Sequence, residues 1–125
     1  MIATRRQFVA GAGGIAAIGL LPAAALARPA SIGLAVHDSR IPASRAFARA
    51  AAAQGIPLFD VAAGDHAIWR AIGGEFRVRP GQQVIGHTAW SDWVVMRGAL
   101  AENRLRVRSE RKLAGRQTTF AWAMA

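Results

Sequence analysis

Three histidines occur in this chain, and each lies beside or close to an aspartate: His37-Asp38, Asp65-His66, and His87 with Asp92 a few residues on. Imidazole titrates near neutral pH and ligates metals through a neutral ring nitrogen, and a neighbouring carboxylate can orient the ring for either task. Three such pairs brought together would form a ligand site, a metal centre or a proton-transfer site. Direct zinc ligation sets the strictest condition, with ring nitrogens about 2.0–2.1 Å from one ion. The same residues also suit a plainer purpose. Asp38, Asp65 and Thr88 stand where strand-to-helix turns need acceptors for free helix amides, and the histidines would then simply flank caps.

Which reading holds depends on the elements that carry these residues. Ser31–Val36 is a short apolar run of the kind that forms a buried strand. From Pro42 to Gln54 the spacing of Phe47, Ala48, Ala51 and Ala52 predicts a helix with Arg45 and Arg49 outward, stopped at Gly55. Ile56–Val61 reads as a second strand and Ala62–Gly64 as a loop. Asp65 would cap a short helix with Ile68, Trp69 and Ile72 inward. After the turn at Arg79-Pro80-Gly81, Gln82–His87 reads as a third strand.

A third helix follows, capped by Thr88 or Ser91, with Trp90, Trp93, Val94 and Leu100 toward the core. Arg97 interrupts that stripe and Val94-Val95 favours extended chain, so a strand over Asp92–Gly98 is the competing expectation. At the C-terminus the period becomes two. Arg104–Arg108 and Thr118–Met124 are expected to form an antiparallel hairpin turning at Lys112–Arg116, with Phe120, Trp122 and Met124 on one face. Strands alternating with helices predict an α/β fold: a small, mostly parallel sheet with packed helices and a C-terminal antiparallel hairpin. All three histidines then fall at or just beyond carboxyl ends of strands, where open parallel sheets bind ligands.

Two aromatic and basic patches carry double readings. Trp90-Ser91-Asp92-Trp93 offers either core or a stacking surface for a ligand. Arg104, Arg106 and Arg108 form either a solvated protective edge or a patch for an anion or partner.

The N-terminus has a different character. Thr4-Arg5-Arg6-Gln7-Phe8 precedes a weakly apolar, glycine-interrupted run that ends at Pro22, and Ala25-Leu26-Ala27 offers a small-x-small cleavage pattern. Basic, apolar and cleavage regions in this order make an export signal. The segment resembles twin-arginine (Tat) signals, whose pattern is Ser/Thr-Arg-Arg-x-Phe-Leu-Lys. Thr4, Arg5, Arg6 and Phe8 match, whereas Val9 and Ala10 depart. The 14 residues from Phe8 to Leu21 are shorter than the ~20 needed to span a bilayer. The resemblance implies residues 1–27 as signal, residues 28–125 as one exported α/β domain, passage through the Tat machinery in a folded state, and a periplasmic location. Sec export is the competing route, and an uncleaved signal would leave the protein associated with the inner membrane.

Composition narrows the classes. The net charge of +9 falls to +7 without Arg5 and Arg6, and all basic residues but Lys112 are arginine. Such a surface suits an anionic ligand, an acidic partner or lipid headgroups. No nucleic-acid motif is present, and export argues against a nucleic-acid partner. With no Cys, thiolate metal sites, Cys-ligated iron–sulfur clusters and c-type haem attachment are excluded. Dinucleotide, P-loop, nucleophile-elbow and HExxH motifs do not occur. The leading expectation is a periplasmic binding or accessory module, serving a larger exported protein or an anionic ligand. A small enzyme or metal protein using His37, His66 and His87 is the second, and a basic domain lying on a membrane surface the third. No residue pattern specifies a cofactor.

Overall fold

The structure, a computed structural model, describes residues 32–64, 68, 70 and 78–125. Its elements in chain order are β1 (Ile32–His37), α1 (Pro42–Ala53), β2 (Leu58–Asp60), a 3-10 turn (Val61–Ala63), β3 (Gln83–Ala89), α2 (Trp90–Glu102), β4 (Val107–Leu113) and β5 (Thr119–Met124). The five strands form one sheet in the order β2-β1-β3-β5-β4. The fold is α/β, but the sheet is mixed. β1 pairs in parallel with β2 and β3, whereas β5 pairs antiparallel with both β3 and β4. The expectation of a mostly parallel sheet is therefore corrected. The C-terminal antiparallel hairpin does stand at the edge of the parallel strands, with β5 on β3, but β5 takes part in two of the four ladders, so antiparallel pairings equal parallel ones.

Two apolar clusters lie on opposite faces. On one, Phe47, Ala50 and Ala51 of α1 pack on Ile32, Ala35, Ile85, Ala121 and Ala123. On the other, Trp93, Met96 and Leu100 of α2 pack with Ile68 on Leu34, Val36, Val84, Trp122 and Met124. The three layers follow from the connections. β1 passes through α1 to β2 on one side, and the chain then crosses back beyond β1 to β3. Successive crossovers in opposite directions take opposite faces when both are right-handed, which puts Ile68 on the face away from α1. Because β1 is covered on both faces, it reads as a continuous apolar run rather than an alternating one.

Several expected boundaries move. α1 buries Ser44 and Ala50 in place of Ala52, and it ends in a Schellman arrangement through Gly55 (φ +75°), with Ile56 N bonded to Ala51 O at 3.1 Å. β3 runs on through Thr88 and Ala89, so Thr88 is a strand residue and caps nothing. α2 begins at Trp90 without a side-chain cap, which sets aside both Thr88 and Ser91 as caps and the strand over Asp92–Gly98. Trp90, expected inside, is 56% exposed, while Trp93 is fully buried. β4 starts at Val107 and includes Lys112. Arg104 lies instead in the turn after α2 at φ 67°, with Leu105 N bonded to Leu100 O, the Schellman pattern again with arginine in the left-handed position. Of the helix expected after Asp65, Ile68 is buried, whereas Asp65, His66, Trp69 and Ile72 lie outside the described residues, as do the signal residues Arg5, Arg6, Phe8, Ala25 and Ala27. No helix among the described residues is long and apolar enough to cross a membrane.

Candidate functional site

From β1 the chain turns into α1 on one face of the sheet, and from β3 it turns into α2 on the other. The carboxyl ends of these adjacent parallel strands therefore open a crevice, the place where open α/β sheets bind ligands. Here the crevice is a cleft of about 340 Å³ lined by Asp38, Arg40, Ser91, Asp92, Gln117 and Thr118 among others. The last two arrive from the β4–β5 turn, so the hairpin closes the side of the cleft that the parallel strands leave open.

Its charged centre is Asp38-Ser39-Arg40. Asp38 follows β1 directly, and its carbonyl accepts from Ile41 N at 3.1 Å, closing a tight turn. The Asp38 side chain is only 3% exposed, and Arg40 reaches it by a two-pronged ion pair: Nε to Oδ1 and Nη2 to Oδ2, both at 2.9 Å. The Arg40 backbone N–H adds a third bond to Oδ1 at 2.9 Å. Arg40 also lies 3.5 Å from Asp92 Oδ2, in the first turn of α2. The guanidinium is therefore fixed between two carboxylates from different elements while its side chain stays 62% exposed. These bonds hold the Asp38 carboxyl below its ordinary pKa despite burial, and Asp38 and Asp92 raise that of Arg40. The expected role of Asp38 as a helix cap is corrected: α1 is preceded by Ile41, whose side chain caps nothing, and Asp38 holds Arg40 instead.

Ser44 locks the two strand ends together. Its hydroxyl accepts from Asp38 N at 2.8 Å and donates to the His87 carbonyl at 2.6 Å, and the residue is fully buried. On the outer side, Asp60 ends β2 and accepts from Ser39 N at 3.1 Å and Ala62 N at 3.0 Å. Burial pushes its carboxyl up, but these bonds outweigh it and the net shift is downward.

The histidines divide. His37 and His87 are register partners on β1 and β3, yet their Nε2 atoms have separate partners. His37 Nε2 is 4.0 Å from Asp60 Oδ2, and His87 Nε2 shares a 3.0 Å hydrogen bond with Thr119 Oγ1 on β5. Both Nδ1 atoms are buried without a partner. His87 stands inside β3 rather than at its end, packs 5.9 Å from the Phe47 ring, and has its pKa lowered by burial. No three His, Asp or Glu side chains among the described residues are grouped to hold a metal ion. Of the six expected site residues, the structure thus brings Asp38 and Asp92 together at Arg40, keeps His37 and His87 beneath the crevice in the α1-side layer, and does not describe Asp65 or His66.

Sequence reasoning missed Arg40, Ser44 and Gln117. An Asp followed two residues later by Arg at a strand end was the available signal for the first, since that spacing lets the carboxylate take both the backbone N–H and the side chain. The tryptophan pair separates as well. Trp93 stacks on Trp122 at 4.4 Å with Arg97 over its ring at 5.6 Å, whereas Trp90 stands exposed between cleft residues Ala89 and Ser91. Chemically the crevice offers donors on Arg40, the Asp92 carboxylate, a serine and a threonine hydroxyl and an amide: a set for recognising a polar molecule. No protein family, curated protein or solved structure gives a significant match to the chain.

Proposed function

We propose that this protein is an exported periplasmic binding or accessory module that recognises a small polar ligand in the crevice at the ends of β1 and β3. One observation carries the reading: Arg40 is held between buried Asp38 and partly buried Asp92 where the two chain crossovers diverge. A preorganised polar group costs little further ordering when a ligand arrives. Export rests on the twin-arginine-like segment Thr4-Arg5-Arg6-Gln7-Phe8 and on Ala25-Leu26-Ala27. A folded export route suits a small domain with no Cys to be oxidised after transport.

Native mass spectrometry of protein purified from periplasm tests the reading, alongside amide NMR spectra recorded with and without a small-molecule extract of the same compartment. A bound mass, with shifts at Ala89 and Ser91 that Asp92→Asn weakens, supports it. A bare mass and unchanged amides at the crevice refute it.

A further inference from the structure

A second cleft, of about 400 Å³, adjoins the first across Arg40, Ile41 and Gln117. It lies between the start of α1 and the β4–β5 turn, and its chemistry differs. Pro42, Ala43 and Ala114 join Ile41 to make much of its wall apolar, and no carboxylate lines it. Two guanidiniums do, Arg40 and Arg116. Asp38 and Asp92, which line the first cleft, already balance Arg40, so Arg116 is the cation that brings net charge to this one. Arg116 makes no ion pair among the described residues. The first turn of α1 contributes Pro42 and Ala43, so the positive end of the helix dipole adds to the same sign.

We propose that this second cleft is an anion subsite: it takes the carboxylate or phosphate group of an organic acid whose short apolar body lies against Ile41, Pro42 and Ala114. A volume of about 400 Å³ falls within the ~300–1,000 Å³ of ordinary small-ligand pockets, mostly apolar with a few polar groups that fix orientation. Arg40 has Nε and Nη2 taken up by Asp38 and Asp92, so it offers only Nη1 here, and Arg116 supplies the two parallel N–H bonds in which arginine surpasses lysine. Arg40 is already immobilised by Asp38, so only Arg116 must be ordered on binding. An arginine that merely kept the turn soluble would need no apolar cleft beside it.

The proposal rests on the preceding reading in one respect, that the carboxyl edge of the sheet is the ligand-binding edge, and separate reporters keep the two apart. Ala114 and Gly115 line only the second cleft, while Ala89 and Ser91 line only the first. The test is an amide NMR titration of the purified protein with sodium hexanoate, hexyl phosphate and, as the neutral control, hexanol. Saturable shifts at Ala114 and Gly115 with either anion, and not with hexanol at equal concentration, are expected. The tighter of the two anions identifies the head group. Arg116→Gln should weaken binding at least ~10-fold, since a charge-assisted bond is lost, and Arg116→Lys should recover part of it. Residue 116 is exposed in a turn, so both variants are expected to keep the wild-type circular dichroism spectrum. Equal shifts with hexanol, indifference to Arg116→Gln, or no saturable shift at Ala114 and Gly115 overturns the proposal. Anion shifts confined to Ala89 and Ser91 also overturn it while leaving the first crevice intact.

Discussion

Gly86→Ala adds one methyl group to the middle of β3, and it should be among the most damaging small changes in the protein. Gly86 and Trp122 are register partners on β3 and β5, and the indole lies flat across the glycine, so that a Cβ there would overlap the ring. Trp122 has nowhere to retreat. It is fully buried, stacked on Trp93 at 4.4 Å, and tied by Nε1 to Thr88 Oγ1 at 3.1 Å. Displacing it forfeits the stack, worth about 0.5–1.5 kcal/mol, and the hydrogen bond, worth about 0.5–1.5 kcal/mol. Overpacking strain adds about 1–3 kcal/mol. Against this, alanine is better than glycine in a strand by about 0.5–1 kcal/mol through chain entropy alone. The steric side wins, and a net loss of about 2–4 kcal/mol is expected, a large share of the ~5–15 kcal/mol available to a domain of this kind.

Urea midpoints followed by tryptophan fluorescence measure the loss, with an unchanged slope confirming that the unfolded state is the same. Trp122→Phe in the same background supplies the control, because a smaller ring leaves room for the methyl. Its coupling to Gly86→Ala should recover about 0.5–3 kcal/mol, as contacting pairs do. A Gly86→Ala variant within about 0.5 kcal/mol of wild type, or two losses that simply add, would refute the packing of Trp122 over Gly86.

Three further outcomes follow from the same structure, and a fourth from the N-terminal sequence. Arg104→Gly should raise stability by about 1 kcal/mol, read from urea midpoints, because it removes the cost of a left-handed backbone from a non-glycine residue. Stability should fall on acidification in two ranges. His87, whose folded pKa lies below its unfolded value near 6.5, favours the fold above pH 6.5 and loses that contribution as pH falls toward the depressed folded value; Asp38 and Asp60, also depressed, hold theirs above an unfolded value near 3.8 and lose it below. Thermal melts across pH 3–8 check this, with His87→Gln removing the upper range and Asp38→Asn shrinking the lower one. Trp90→Ala should change stability by no more than about 0.5 kcal/mol, read from urea midpoints, as an exposed position does. Replacing Arg5 and Arg6 together by lysine should stop export of the folded protein, measured by fractionating cells; unchanged export would assign the signal to Sec.

Legibility from sequence tracked how local the cause was. α1 was readable because Pro42, the Phe47/Ala51 spacing and Gly55 all act within one element. The shared face of Phe120, Trp122 and Met124 on β5 was readable for the same reason, through their alternation, although Ala121 and Ala123 are buried on the opposite face as well. The pairing of β5 with β3 was not, since nothing in either strand names its neighbour. α2 was ambiguous because apolar residues surround it: Trp93, Met96 and Leu100 face the sheet while Trp90 faces solvent. The register of β4 slipped because Leu105 and Val107 imitate a strand, whereas Leu105 belongs to the turn that ends α2 and is buried under it. In the candidate site, Asp38 and Asp92 were marked through their aspartate–histidine proximity, and the structure joins them through Arg40 instead. That link runs between residues 38, 40 and 92, and only the adjacency of β1 and β3 creates it.

The placement of the histidines argues for the crevice rather than against it. His37 and His87 sit side by side in register, directly below the turn that carries Asp38. Were they the working groups, the Ser44 bridge would be a hindrance, for it fastens the Asp38 amide and the His87 carbonyl over that layer and leaves His87 buried. Read as a support, the same bridge has a use. It anchors the Asp38 amide just beyond the last β1–β3 pair, His37 with His87; Asp38 in turn fixes Arg40, and Arg40 forms a wall of both clefts. Ser44→Ala would leave the Asp38 N–H without its acceptor and loosen the turn that carries Asp38 and Arg40. Its effect should therefore reach ligands in either cleft, although Ser44 lines neither.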